Sequence, residues 1–180
     1  MALGAVHVDP TRLEVPAAAL VLLVGPTGSG KSTFAARHFG PGEVLSSDAF
    51  RALVSGDEAD MAATTDAFEL LHLAAGRRLG RRLLTVVDAT NVRADARRPL
   101  LALARRSAVP AVAIVFDLPL ELAATRNAQR PGRTVPRRVL RQQHRDLQRA
   151  LTVLGGEGFA GVFVLRSAEA VDKLRIARTA

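Results

Sequence analysis

Residues Gly25 to Ser32 read Gly-Pro-Thr-Gly-Ser-Gly-Lys-Ser, and this stretch constrains the chain more than any other. It fills the pattern G-x-x-x-x-G-K-S/T at every required position, the pattern of a loop that cradles phosphate groups. Glycines at 25, 28 and 30 let the backbone curl so that successive N–H groups, from Thr27 through Ser29 to Thr33, point at phosphate oxygens where no side chain would fit. Lys31 has the reach for the outer phosphates. Ser32 offers a hydroxyl to Mg²⁺, and the helix that begins here turns its positive end toward the same anion.

The flanks are those the mechanism needs. Leu20 to Val24 (Leu-Val-Leu-Leu-Val) reads as a buried strand, and Ser32 to Phe39 as the following helix. Only Lys31 and Lys173 are Lys among the 25 basic residues, so a chain that otherwise uses Arg places a compact ammonium where the motif calls for one.

The 180 residues form one domain of ordinary size on this reading, able to bury a substantial core. With no cysteine, disulfides, thiolate metal sites and Cys nucleophiles are excluded, which suits a reducing cytoplasm. No apolar run approaches membrane-spanning length, and Ala17 to Val24 lacks the basic leader and cleavage site of a signal peptide. A cytoplasmic protein with no membrane partner is expected; nothing in the sequence sets an oligomeric state. The formal net charge is +8, and it is concentrated: from Arg126 to Arg149 there are eight Arg and a single acid, Asp146. Such a segment suits a polyanionic partner, although a codon bias toward Arg would raise the total in the same way. Without Trp or Tyr, a broad stacking platform for single strands is not expected.

Met1 to Pro16 reads as a lead-in with an edge strand interrupted by Pro10 and Pro16. After the breaker cluster Gly40-Pro41-Gly42, a short strand Glu43 to Ser46 delivers Ser47-Asp48-Ala49-Phe50-Arg51. Ligands of open α/β sheets sit beyond the carboxyl ends of the strands, so Asp48 falls near the outer phosphate and could accept the proton of an attacking hydroxyl. Its alternative is to cap a helix starting at Ala49. Arg51, three residues on, shares its helix face and could hold a phosphate of the acceptor. A long helix from about Thr65 to Arg82 follows, with Phe68, Leu71, Ala75 and Leu79 on one face; His72 lies within it as a packing or surface residue. Leu83 to Val87 is a buried strand that brings Asp88 to the same edge. There it would either order the water shell of Mg²⁺ or hold the loop by hydrogen bonds.

Ala94 to Ser107 reads as a helix with Arg93, Arg97, Arg98, Arg105 and Arg106 on a solvated surface, and Ala111 to Phe116 as a strand ending before Asp117, to which no role attaches. A helix from Leu120 to Gln129 carries Arg126 and Arg130 at i and i+4. Pro131 to Pro136 breaks the chain before a helix from Pro136 to about Leu154, whose stripe is Leu140, Leu147, Leu151 and Leu154 beside Arg137, Arg141, Arg145 and Arg149. Two Arg-rich helices with a hinge describe a lid over about residues 120–150, able to bring charge to a transferring phosphoryl group. A last strand, Gly161 to Leu165, and a short helix from Ala168 to about Ile176 complete the chain. The alternation predicts a three-layer α/β fold, a P-loop NTPase fold whose parallel sheet has about five strands.

Six segments appear in this order: Gly-Pro-Thr-Gly-Ser-Gly-Lys-Ser-Thr-Phe-Ala (25–35), Ser-Ser-Asp-x-x-Arg (46–51), Ala-Phe-Glu-Leu-Leu-His (67–72), Val-Val-Asp-Ala-Thr-Asn (86–91), Val-Phe-Asp-Leu-Pro (115–119) and Arg-Asn-x-x-Arg (126–130). Together they resemble the 5′-hydroxyl polynucleotide kinase domain of bacterial RNA-repair proteins, the kinase module of the polynucleotide kinase-phosphatase family, over about residues 13–175. The resemblance implies that Lys31 and Ser32 bind ATP phosphates and Mg²⁺ and that Asp48 is the general base for the 5′-hydroxyl. It implies further that Arg51 contacts a phosphate of the acceptor and that Arg126 and Arg130 clamp the β- and γ-phosphates. The acceptor would be a 5′-hydroxyl end of RNA or DNA, with a phosphatase or ligase working alongside in a separate or fused chain. Two other readings use the same residues: a kinase for a sugar, nucleotide-sugar or antibiotic hydroxyl, and a non-catalytic ATP-binding regulatory module.

Overall fold

The computed structural model describes residues 5–129 and 134–179. Its centre is β3 (Leu20–Val24), a run of apolar residues buried at every position, as a strand covered on both faces must be. β5 (Thr85–Asp88) and β6 (Ala111–Phe116), its neighbours on either side, are buried throughout as well. All pairings in this six-stranded sheet are parallel, and the strand order is β1-β7-β6-β3-β5-β4, with β1 at Ala5–Val8, β4 at Val44–Ser46 and β7 at Gly161–Leu165. The chain leaves β3 toward one side for β4 and β5 and crosses to the other for β6 and β7. The crevice where those directions diverge lies at the carboxyl ends of the strands.

Strand periodicity divides the core in two. Leu20, Leu22 and Val24 face one layer, where they join Leu71, Ala75 and Leu79 of α3 (Thr64–Gly80), Leu100 and Ala104 of α4 (Ala94–Arg106), and Leu147 and Ala150 of α6 (Arg137–Leu151). Val21 and Leu23 face the opposite layer, with Phe34 and Ala35 of α1 (Lys31–His38), Ala170 of α7 (Ala168–Lys173), and Leu13, Val15 and Leu174. The three layers expected from the alternation of strand and helix are present. No helix among the described residues is long and apolar enough to cross a membrane.

Three local expectations are corrected. The lead-in forms two strands: β1 extends the main sheet beside β7, and β2 (Arg12–Pro16) pairs in parallel with β8 (Arg175–Thr179) in a separate two-stranded sheet. The last helix stops at Lys173 rather than near Ile176, because Leu174 and Ile176 pack against the second core layer and the backbone is held extended by the partner strand β2. Arg97 does not belong to a solvated surface. It is buried, it forms an ion pair with Glu157 in which Nε meets Oε2 at 2.7 Å, and its Nη1 donates to the Asn91 carbonyl at 2.8 Å.

Removing one member of a buried ion pair leaves the other charge without compensation. Glu157→Ala should therefore lower the urea-unfolding stability by about 3 kcal/mol. Glu14→Ala, at the exposed pair with Arg12, should leave it almost unchanged.

Candidate active site

Register brings the site together. Leu23 of β3 pairs with Asp88 of β5, which pairs in turn with Ser46 of β4, so the phosphate loop, the Asp88 loop and the start of the next helix leave the sheet at one level. Two bonds join the first two of these. The Gly25 N–H donates to the Thr90 carbonyl at 2.9 Å, and the buried Asn91, in left-handed conformation (φ 49°), donates from Nδ2 to the Leu23 carbonyl at 2.9 Å. A cavity of about 570 Å³ opens above this edge, lined by loop residues including Thr27, Gly28, Gly30, Lys31, Ser32 and Thr33.

The loop has the curl its glycines foretell. Gly28 and Gly30 have φ of 81° and 92°. Gly28 also has no room: a Cβ there would lie 2.2 Å from the Ala123 carbonyl oxygen of α5 (Leu120–Ala128). At Gly25 a Cβ would stand 2.9 Å from Ser29 Oγ and 3.0 Å from the Phe116 side chain. The Lys31 ammonium folds back on the loop, donating to the Pro26 carbonyl at 2.8 Å and to Ser29 Oγ at 3.4 Å. It is held over the loop, so an entering phosphate meets a cation already in place.

Asp48, Arg51 and Asp88 line the same cavity. The helix α2 (Ser47–Ser55) begins at Ser47 rather than at Ala49, and its cap is Ser46, whose Oγ accepts from the Ala49 N–H. Asp48 is thereby not the cap; its carboxylate pairs with the Arg51 guanidinium. Arg51 is 3% exposed, and its Nε donates to the Glu58 carbonyl at 2.9 Å, so it is anchored in the wall between the two segments it joins. Asp88 and Ser32 are the oxygen donors that could hold Mg²⁺. No group of three or more His, Cys, Asp or Glu among the described residues is placed to bind a metal, and Mg²⁺ commonly takes only one or two protein oxygens with substrate phosphates and water completing its shell. The donor set fits that ion.

α5 and α6, the helices expected to form a lid, line the cavity through Arg126, Asn127 and Gln143. α5 and α6 are tied by Arg137 to Glu121 at 2.6 Å, and Asn127 binds both the N–H and the carbonyl of Val135. Arg126 lines the cavity near Gly30, its Nη1 being 3.4 Å from where a Cβ would stand there; Arg130 lies outside the described residues. One contact was missed by reasoning from the sequence. Gln143 of α6 lines the cavity and accepts the Thr27 N–H at 2.9 Å through Oε1. Its signal was available: it is the polar residue on the apolar stripe between Leu140 and Leu147. Asp117 stands apart from the cavity and binds Gln148 Nε2 at 2.7 Å. His72 also stands apart from it, beside Phe68, and burial holds its pKa below the ordinary value.

Residues 20–152 match the family model described as AAA domain. The chain belongs to this family. A comparison with curated proteins finds no match. Among solved structures, this AAA domain is similar to a chain of the Pnkp1/Rnl/Hen1 RNA repair complex, with 25% identity and a TM-score of 0.61 over 74% of this chain and 45% of that one. It thus spans less than half the length of that chain. A gluconokinase from Sinorhizobium meliloti 1021 matches with 20% identity and a TM-score of 0.53 over 88% and 90% of the two chains. The APS kinase CysC of Mycobacterium tuberculosis, in complex with AMPPNP and APS, matches with 18% identity and a TM-score of 0.54 over 88% and 94%. The fold is that of a P-loop kinase.

Gly28→Ala combines a clash with backbone carbonyl and a left-handed φ, so nucleotide affinity measured by calorimetry should be lost even where the variant folds. A second expectation concerns pH. Burial lowers the pKa of both His38 and His72, and Nε2 of each is buried without a hydrogen-bond partner among the described residues. The unfolded chain therefore takes up these protons first, and stability should be level above pH of about 6.5 and fall as the pH drops below it. Urea titrations at pH 7.5 and 5.5 should show a smaller drop for His72→Leu than for the parent chain.

Proposed function

We propose that this AAA domain is an ATP- and Mg²⁺-dependent kinase that transfers the γ-phosphoryl group of ATP to the 5′-hydroxyl end of RNA or DNA, in nucleic-acid repair. The observation that carries the reading is the shared cavity: a carboxylate, Asp48, lines the same cavity as a phosphate loop whose lysine is already in place. The 25% identity to a chain of an RNA repair complex supports the polynucleotide as acceptor.

In this mechanism the loop amides and Lys31 hold the phosphates, and Arg126 and Arg130 of the lid neutralise charge on the transferring group. Asp48 accepts the proton of the attacking 5′-hydroxyl, oriented by its pair with Arg51, which lines the same cavity and would hold a phosphate of the acceptor. Ser32 and Asp88 would hold Mg²⁺, which supplies further neutralisation of the phosphates when bound. The exposed side of α6 carries Arg138, Arg141, Arg145 and Arg149, a row suited to the backbone of a strand whose end lies in the cavity. The reading implies a phosphatase or ligase, separate or fused, that works on the same ends.

A small-molecule acceptor is the second reading, favoured by the likeness to gluconokinase and APS kinase along nearly their whole chains. The deciding assay is transfer of label from γ-labelled ATP to a short 5′-hydroxyl RNA, its DNA counterpart and a 5′-phosphorylated control. Label on the 5′-hydroxyl strands alone, with acceptor affinity falling steeply as salt rises, is the expected result. Transfer to a sugar or nucleotide-sugar but to neither strand would establish the second reading, and retention of intact ATP with every acceptor would mark a regulatory module. Asp48→Ala should bind ATP normally and lose about 10²- to 10⁴-fold in turnover. A variant with near-normal turnover would remove Asp48 from the mechanism.

A further inference from the structure

Gln143 occupies a position that a helix stripe normally gives to an apolar residue. On α6 it lies between Leu140 and Leu147, both buried against the core, and it turns its amide to the phosphate loop instead. The Thr27 N–H can bond only to an acceptor, so the 2.9 Å contact fixes which arm of the amide is oxygen. The other arm, Nε2, makes no hydrogen bond among the described residues. A planar group pinned through its oxygen holds its two remaining N–H donors in a set direction, and Gln143 lines the cavity that also holds Lys31, Ser32 and Arg126. The tie is to the loop itself: Thr27 lies in the variable half of the motif, ahead of the Gly30-Lys31-Ser32 end.

We propose that Gln143 is a specificity-determining residue for the terminal phosphate, its Nε2 donors holding an oxygen of the γ-phosphoryl group so that the site tells a nucleoside triphosphate from a diphosphate. The inference rests on the reading that the phosphate loop binds ATP, and it is independent of the acceptor. A neutral amide suits the place. Lys31 and Arg126 already bring positive charge, and two fixed donors add direction without a further long-lived ion pair that would retain the product.

The test is calorimetric binding of Mg-ATP and Mg-ADP, without acceptor, to the parent chain and to Gln143→Met and Gln143→Glu, with thermal melts to establish that each is folded. Met removes both arms; Glu keeps the acceptor for the Thr27 N–H and replaces the donors with negative charge. The proposal expects ATP affinity to fall about tenfold or more in both variants, further in Glu than in Met, while ADP affinity changes much less. If Gln143 were only a latch between lid and loop, Met would weaken the two nucleotides equally, and Glu would lower ATP affinity only by the repulsion of its added charge, in a salt-dependent way. Equal weakening in Met overturns the proposal, as does unchanged binding in both variants. Should Met fail to fold, Gln143→Ala, which also removes the donors and adds no charge, decides by the same ATP-to-ADP ratio. Failure of the parent chain to bind ATP would instead overturn the functional reading itself.

Discussion

The molecule depends on one row of the sheet, where Leu23, Asp88 and Ser46 stand side by side in β3, β5 and β4. Parallel pairing makes the three strands end together, and each hands over to a segment that carries chemistry: the phosphate loop, the Asp88 loop and the helix with Asp48. A one-residue slip in any ladder would turn its side chains to the opposite layer and move its loop out of line. The split of β3 between two core layers prevents such a slip. Leu20, Leu22 and Val24 are committed to one and Val21 and Leu23 to the other, so the packing that stabilises the sheet also sets the height of the site.

The loop is further fixed from above. Gly28 sits so close to the Ala123 carbonyl that α5 packs directly against the phosphate loop. The bonds between Asn127 and Val135, and between Glu121 and Arg137, carry that attachment into α6, which returns to the loop through Gln143. The loop, α5 and α6 are therefore joined by hydrogen bonds into one unit.

What could be read from the sequence was what local chemistry determines. The phosphate loop, the strands around it and the carboxylates at 48 and 88 each follow from spacing within a dozen residues, and all reach the same cavity. The remainder is set by partners far away in the chain. The Arg97–Glu157 pair spans 60 residues and the Thr27–Gln143 bond 116, so even where one end shows in the local pattern, as Gln143 does on its stripe, nothing local names the partner. An Arg on a helix beside other arginines reads as solvated until a distant glutamate buries it. β8 looks like a helix end until β2 is there to pair with it. Arg51 shows the same limit: its helix face was legible, while its burial under the Glu58 carbonyl depends on a loop without a pattern of its own.

The mixed set of fold neighbours has a structural counterpart in the division of the cavity. Part of the lining comes from the loop, α5 and α6. Another part comes from α2, the segment after it and the start of α3, which supply Asp48, Arg51, Met61, Thr64 and Phe68. These two parts of the lining draw on different segments, so the second can change in shape and charge while the first is kept. On the proposed reading, discrimination of the acceptor lies in the residues between Ser47 and Phe68, where an apolar side chain, a hydroxyl and an aromatic ring meet an ion pair. That combination is suited to a nucleoside end, with a flat base against Phe68 and Met61 and a charged backbone toward Arg51.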